Sequence, residues 1–177
     1  MRVSSPPSPD GRFPDPGLFH APDIVEAANS FAGAIYRHSK LPLRMFEAAR
    51  IATALINGCT ICMNWRTARD ATYFGFDEGV MTNGPAPDEA FYQALLEGDQ
   101  SGLTARELLA VRYAEGMGRD PKGIAGDEEF WSEFKSAFAD TEIVDLSYCI
   151  AGWMGLGRVA HVLGADAACA IPEPVSA

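Results

Sequence analysis

Two cysteines three positions apart, Cys59 and Cys62, follow Asn57-Gly58 directly and head a helix-like stretch from Met63 to Phe74. A Cys-x-x-Cys pair at the start of a helix suits redox chemistry for a physical reason. The unpaired N–H groups and the dipole of the first helical turn favour a thiolate, so the pKa of at least one thiol falls. The two-residue spacer lets the thiols close into a small disulfide ring. Two inert thiols near a surface would be the plainer use of the same residues. Zinc would need a second pair of soft ligands, and Cys149, Cys169, His20, His38 and His161 show no paired spacing. No metal site is expected. With no G-x-G-x-x-G and no phosphate loop, no cofactor is expected either.

The elements that must position this pair are two helices. One runs from about Leu43 to Ile56, and Asn57-Gly58 ends it with left-handed geometry at one of the two. The cysteine helix follows and ends at Gly75. A tight turn makes the two an antiparallel hairpin, so residues equally far from the turn lie side by side. Glu47, ten positions before Asn57, then comes level with Arg66, eight after Gly58. Cys62 and Arg66 are four apart and would share a helix face. The expected site is therefore a line Glu47–Arg66–Cys62 with Cys59 at the helix start. An ordinary interhelical ion pair on a wet surface is the blander expectation for Glu47 and Arg66.

The rest of the chain reads as all-α, six or seven helices in one domain, since no stretch alternates like a strand. Residues 1–22 carry six prolines and predict an extended N-terminal arm; residues 23–165 form the helical domain; residues 166–177 are a loose tail. Asp23 caps a helix to about Ser39, and Asp88 caps a short one to about Glu97. Thr104 and Glu107 form a capping box for a helix to about Gly116. Residues 121–126 read as loop. Phe130, Phe134 and Phe138 put one aromatic stripe on the next helix. Asp140 or Thr141 caps the last long helix, which Gly164 stops. Its Ala151, Gly152, Gly155 and Gly157 suggest close helix–helix approach.

The 177 residues carry 14 basic and 24 acidic side chains, a net charge of −10. Nucleic acid and anionic membrane both need basic patches, so neither is an expected partner. The most apolar long stretch, Ile143 to Leu163, contains Asp145, Arg158 and His161 and reads as a buried helix rather than a membrane span. The first 22 residues lack the apolar segment of a secretory signal. Four cysteines with a single Cys-x-x-Cys fit a cytoplasmic redox motif better than a disulfide scaffold.

Segment 43–76, LRMFEAARIATALINGCTICMNWRTARDATYFGF, resembles the core of the alkylhydroperoxidase D-like group in the carboxymuconolactone decarboxylase superfamily. That core has a Glu, a Cys-x-x-Cys beginning twelve residues later, and a His four after the second Cys. Glu47, Cys59 and Cys62 match; the His is Arg66 here. The resemblance extends through LTARELLAVRYAEGMGRDPKGI (103–124) and FADTEIVDLSYCIAGWMGLGRVAHVLG (138–164), the latter with the group's Arg at Arg158. It covers roughly residues 23 to 165.

The resemblance implies an alkylhydroperoxidase D-like helical bundle that assembles as a homotrimer or homohexamer. It also implies a thiol peroxidase. One thiolate attacks a hydroperoxide and becomes a sulfenic acid, the other resolves it to a disulfide, and an external thiol reductant restores the dithiol. By the resemblance Cys62 attacks, Cys59 resolves and Glu47 starts a proton relay; helix position alone favours Cys59 as the lower-pKa thiol. An imidazole with a pKa of about 6.5 can pass a proton at neutral pH, whereas the guanidinium of Arg66 cannot. Arg66 can instead hold a thiolate by charge or clamp a carboxylate. The alternative function is therefore a non-redox lyase or decarboxylase acting on a small carboxylated substrate, with Arg66 as anion clamp and Glu47 as acid or base. A helical oligomer whose thiols only sense oxidation is a third.

Overall fold

The computed structural model describes residues 1–4, 16–72, 76 and 79–168. Ten α-helices and no strand occur among them: α1 Pro16–His20, α2 Pro22–His38, α3 Leu43–Asn57, α4 Thr60–Asn64, α5 Thr67–Asp70, α6 Glu89–Leu96, α7 Ala105–Arg119, α8 Pro121–Gly126, α9 Glu128–Ala137 and α10 Asp140–Val162. A short 3-10 turn, Asp166–Ala168, follows.

α3 is the central element, packed against α7 and α10. Its residues from Met45 to Ala54 are all buried, and only Leu55 is exposed. A helix buried on every side needs small residues where neighbours cross it, and Ala48, Ala49, Ala52 and Ala54 supply them. α9 contributes its aromatic stripe to the same core. Phe130, Phe134 and Phe138 are buried, with ring centroids 5.0 Å and 4.5 Å apart, and Tyr113 of α7 lies 4.9 Å from Phe134. The stripe is thus satisfied within the chain and leaves nothing apolar for a neighbour.

The all-α architecture matches the reading from sequence, and the caps at Asp88 and Thr104 form as expected, the latter as a full capping box. Among the described residues ten helices stand where six or seven were expected; Ala21, not Asp23, is the N-cap of α2, with Pro22 in its first turn; and residues 166–168, expected to begin a loose tail, form a 3-10 turn with Asp166 buried. Four further differences have local causes. The cysteine helix is two short helices, α4 and α5, broken at Trp65 and Arg66. Residues 121–126 are helical because Pro121 takes a first-turn position and the Asp120 carboxylate accepts from the Gly123 N–H. The N-cap of α10 is Ala139, not Asp140 or Thr141; the Glu142 carboxylate reaches back to the Ala139 N–H. Residues 16–20 of the arm form α1, and residues 1–4 turn back onto the chain, with Arg2 N–H bonded to the Leu163 carbonyl at 2.7 Å. The expected helix end at Gly75, residues 5–15 of the arm and the tail beyond 168, Cys169 included, lie outside the described residues.

The small residues of α10 divide. A Cβ on Gly152 would collide with Ile35 of α2, and one on Gly157 would stand 2.5 Å from Asn57 Nδ2. Gly155 faces open space and Ala151 is exposed. On that outward side Val144, Tyr148, Val159 and Val162 are more than half exposed. None of the described helices is long and apolar enough to cross a membrane.

Because Phe134 is fully buried between Phe130, Phe138 and Tyr113, Phe134→Ala should destabilise the fold by about 3–5 kcal/mol. Urea denaturation followed by tryptophan fluorescence measures it, and a loss below about 1 kcal/mol would mean that the stripe is not core.

Candidate active site

The cysteine pair is set by the turn between α3 and α4. Gly58 takes the left-handed conformation, φ 68° and ψ 15°, which glycine adopts without strain. Its N–H and that of Cys59 return to carbonyls of Leu55 and Ala54, closing α3. Cys59 then stands as the N-cap of α4, its sulfur accepting from the Cys62 N–H at 3.3 Å. Cys59 and Cys62 are joined as a disulfide, Cα atoms 5.2 Å apart. Cys59 has no exposed surface; Cys62 is partly exposed.

Beneath the disulfide lies a fully buried ion pair. Glu47 and Arg50, one turn apart on α3, meet through Arg50 Nη2 to Glu47 Oε2 at 2.7 Å and Nε to Oε1 at 3.2 Å. Thr67 of α5 donates its hydroxyl to Glu47 Oε1. The guanidinium also crosses to the cysteine segment: Nη1 donates to the Cys62 carbonyl and Nη2 to the Trp65 carbonyl, both at 2.6 Å. Burial alone would lower the pKa of Arg50, but the Glu47 charge and hydrogen bonds outweigh it, and the guanidinium is held above its ordinary value.

This arrangement explains the broken helix. Trp65 and Arg66 are extended, with ψ of 139° and 117°, and the Arg66 N–H is taken by Asp70 Oδ2 at 2.8 Å. The break turns carbonyls toward Arg50 that a continuous helix would consume. Arg66 consequently does not follow Cys62 along one face. Its guanidinium bonds the Met63 carbonyl at 2.7 Å, pairs with Glu89 at 3.2 Å and stacks 4.0 Å over the ring of Tyr92. Of the four residues expected to form one line, the structure brings together Glu47, Cys59 and Cys62, with Arg50 as the connecting cation. Arg66 turns to α6.

Arg50 is the residue that reading the sequence missed. Its signal was present: a Glu and an Arg three apart, with only alanines between, in a helix with a buried apolar run. Thr67 carried no comparable signal.

A cavity of about 530 Å³ opens beside the pair. Cys62, Arg50, Tyr36, Asn57, Trp65 and Trp153 are on its wall, and Arg66 is not. The lining is mostly apolar. Burial, the largest influence, together with the Glu47 charge pushes the Tyr36 phenol upward despite the opposing charge of Arg50, so it stays protonated at neutral pH.

A second polar cluster holds the other side of the turn. Asp166, buried, accepts from the Thr60 N–H and bonds His161 Nδ1, both through Oδ2 at 2.9 Å. The His161 ring lies against Gly58, where a Cβ would come within 3.1 Å of Nε2. Burial would raise the Asp166 pKa, but these hydrogen bonds hold it below the ordinary carboxylate value. Among the described residues no group of three or more His, Cys, Asp or Glu is placed to hold a metal.

Glu47→Gln keeps the shape of the pair but leaves the Arg50 charge buried without its counter-ion, and should cost about 3–5 kcal/mol. Arg66→Ala, which removes a partly exposed pair with Glu89, should cost about 1 kcal/mol or less from that pair. Denaturant midpoints of the two variants against the parent test the ranking, and Arg66→Ala proving the worse would contradict it.

No protein-family model matches the chain, and no curated protein matches it in sequence. Among solved structures it is similar to a crystal structure of a protein of unknown function from Agrobacterium tumefaciens, titled "Putative Antioxidant Defence Protein AhpD". The TM-score is 0.64 at 16% identity, over 90% of this chain and 96% of that one. At that identity the likeness is one of fold: this chain has the helical architecture of that protein.

Proposed function

We propose that the chain is a thiol-dependent antioxidant oxidoreductase that reduces hydroperoxides through Cys59 and Cys62. The observation that carries the reading is the asymmetry of the pair: Cys62 forms part of a cavity wall while Cys59 is wholly buried behind it. A substrate in the cavity meets Cys62 first, which fits it as the attacking thiol and Cys59 as the resolving one. The likeness to a protein titled for antioxidant defence supports the same reading.

In the dithiol state the Cys62 thiolate attacks the terminal oxygen of the hydroperoxide. An S–O bond forms, the O–O bond breaks, and the alcohol leaves with a proton. The Cys59 sulfur then attacks the sulfenic sulfur, the S–S bond forms and water departs. An external dithiol returns two electrons and two protons by exchange. Arg50, fixed on the Cys62 carbonyl, places a positive charge beside this chemistry, and Glu47 keeps that charge in place. This assigns Glu47 an electrostatic part, since its path toward the thiols runs through a guanidinium that does not release its proton. The largely apolar wall suits an organic hydroperoxide.

We further propose a homo-oligomer, with the outward face of α10 at Val144, Tyr148, Val159 and Val162 as the contact between copies.

Purified protein supplied with dithiothreitol should consume cumene hydroperoxide, and Cys62→Ser should abolish turnover, while Cys59→Ser oxidised without dithiothreitol should leave a Cys62 sulfenic acid that dimedone traps. Full turnover in Cys62→Ser would remove the pair from the chemistry. Light scattering at micromolar concentration should give at least a trimer; a mass near 19.0 kDa would refute the assembly.

A further inference from the structure

Asn57 ends α3 and is 7% exposed. Its Nδ2 donates to the Trp153 carbonyl of α10 at 2.9 Å, which fixes the orientation of the amide. Its Oδ1 is buried and has no hydrogen-bond partner among the described residues. Leaving a buried acceptor unpaired is costly, so the position calls for a donor in some state of the protein. The nearest chemistry that changes its donors is the disulfide. A Cβ on Gly157 would stand 2.5 Å from Asn57 Nδ2 and 3.5 Å from Cys62 Sγ, so the amide and the sulfur flank the same glycine. Both also belong to the wall of one cavity. A disulfide sulfur has no proton to give. A thiol has one.

We propose that Asn57 is a positioning residue for the redox pair: in the dithiol state its Oδ1 accepts the thiol proton of Cys62, and in the disulfide state it is left unpaired. This deepens the peroxidase reading, on which it rests, by assigning a residue that sets how readily the pair is reduced. Reduction by an external dithiol breaks the S–S bond, delivers two electrons and two protons to the two sulfurs, and oxidises the donor to its own disulfide. One of those protons satisfies Asn57, so the amide favours the dithiol over the disulfide. Its own bond to Trp153 persists in both states and does not bias the balance.

The test is the equilibrium between the pair and dithiothreitol, read by alkylation and mass over a range of reduced-to-oxidised ratios. Asn57→Leu should shift the balance toward the disulfide by about tenfold, a potential about 30 mV more negative. A merely structural Asn57 would lower the melting temperature of both redox forms alike and leave the balance unmoved, and that result overturns the proposal. Should Asn57→Leu fail to fold, Asn57→Ala is read in the same way. The parent amide is tested with Cys59, Cys149 and Cys169 replaced by Ser, so that Cys62 is the only thiol. The infrared S–H stretch then lies below that of a free thiol; a free-thiol band overturns the proposal without any change at Asn57. The two readings fail separately. If dithiothreitol reduces the pair but no peroxide is consumed, the peroxidase reading falls while the shift at Asn57 still decides this one. If the pair cannot be reduced at all, both fall.

Discussion

The interaction on which the site depends is the buried pair of Glu47 and Arg50. Two charges removed from water are tolerable only when each finds its partner and further hydrogen bonds. Glu47 finds Arg50 and the Thr67 hydroxyl; Arg50 finds Glu47 and the carbonyls of Cys62 and Trp65. Those needs reach from α3 into α4 and α5, and they constrain the backbone there. The carbonyls must face inward, so the helix after the cysteines cannot continue past Asn64. The break at Trp65 and Arg66 is where the chain meets that demand, with Asp70 capping the new start. The result is a rigid floor under the disulfide, made from charges rather than from apolar packing.

The elements of the fold were largely legible because their signals are local. Asp88, the Thr104–Glu107 box and the left-handed Gly58 each act within one turn of the residue that carries the signal. The aromatic spacing of α9 was legible for the same reason, although its destination, the interior of this chain, was not. The cysteine pair was readable from spacing, and Glu47 from its distance to it. What sequence could not show was the direction of Arg66. A four-residue spacing implies a shared face only if the helix is continuous, and continuity was decided by Arg50, an Arg on another helix competing for the carbonyls. Arg66 is then free to take Glu89 and the face of Tyr92, partners more than 20 residues away.

The cavity follows from the same geometry. Trp65, extended rather than helical, packs its ring 5.6 Å from Tyr36, which in turn lies 5.6 Å from Phe46. Phe46 meets Trp153 edge-on at 4.7 Å. Trp65, Tyr36 and Trp153 stand on the cavity wall, and Phe46 of α3 backs the last two from the core. The large apolar side chains of that wall lower the dielectric beside the partly exposed sulfur, which strengthens the field of Arg50 there. The low dielectric and the fixed cation come from one arrangement.

The clasp at Asp166 has a consequence in time. Asp166 holds the Thr60 N–H across 106 positions of chain, and the His161 ring lies against Gly58. During synthesis the segment carrying Cys59 and Cys62 leaves the ribosome well before the carboxylate that caps it exists. For that interval the start of α4 has no side chain on its Thr60 N–H, and α10, which forms one wall of the cavity, is missing. The thiols of a nascent chain are therefore open to any oxidant or other thiol in their surroundings, and the cavity closes around Cys62 only when α10 docks.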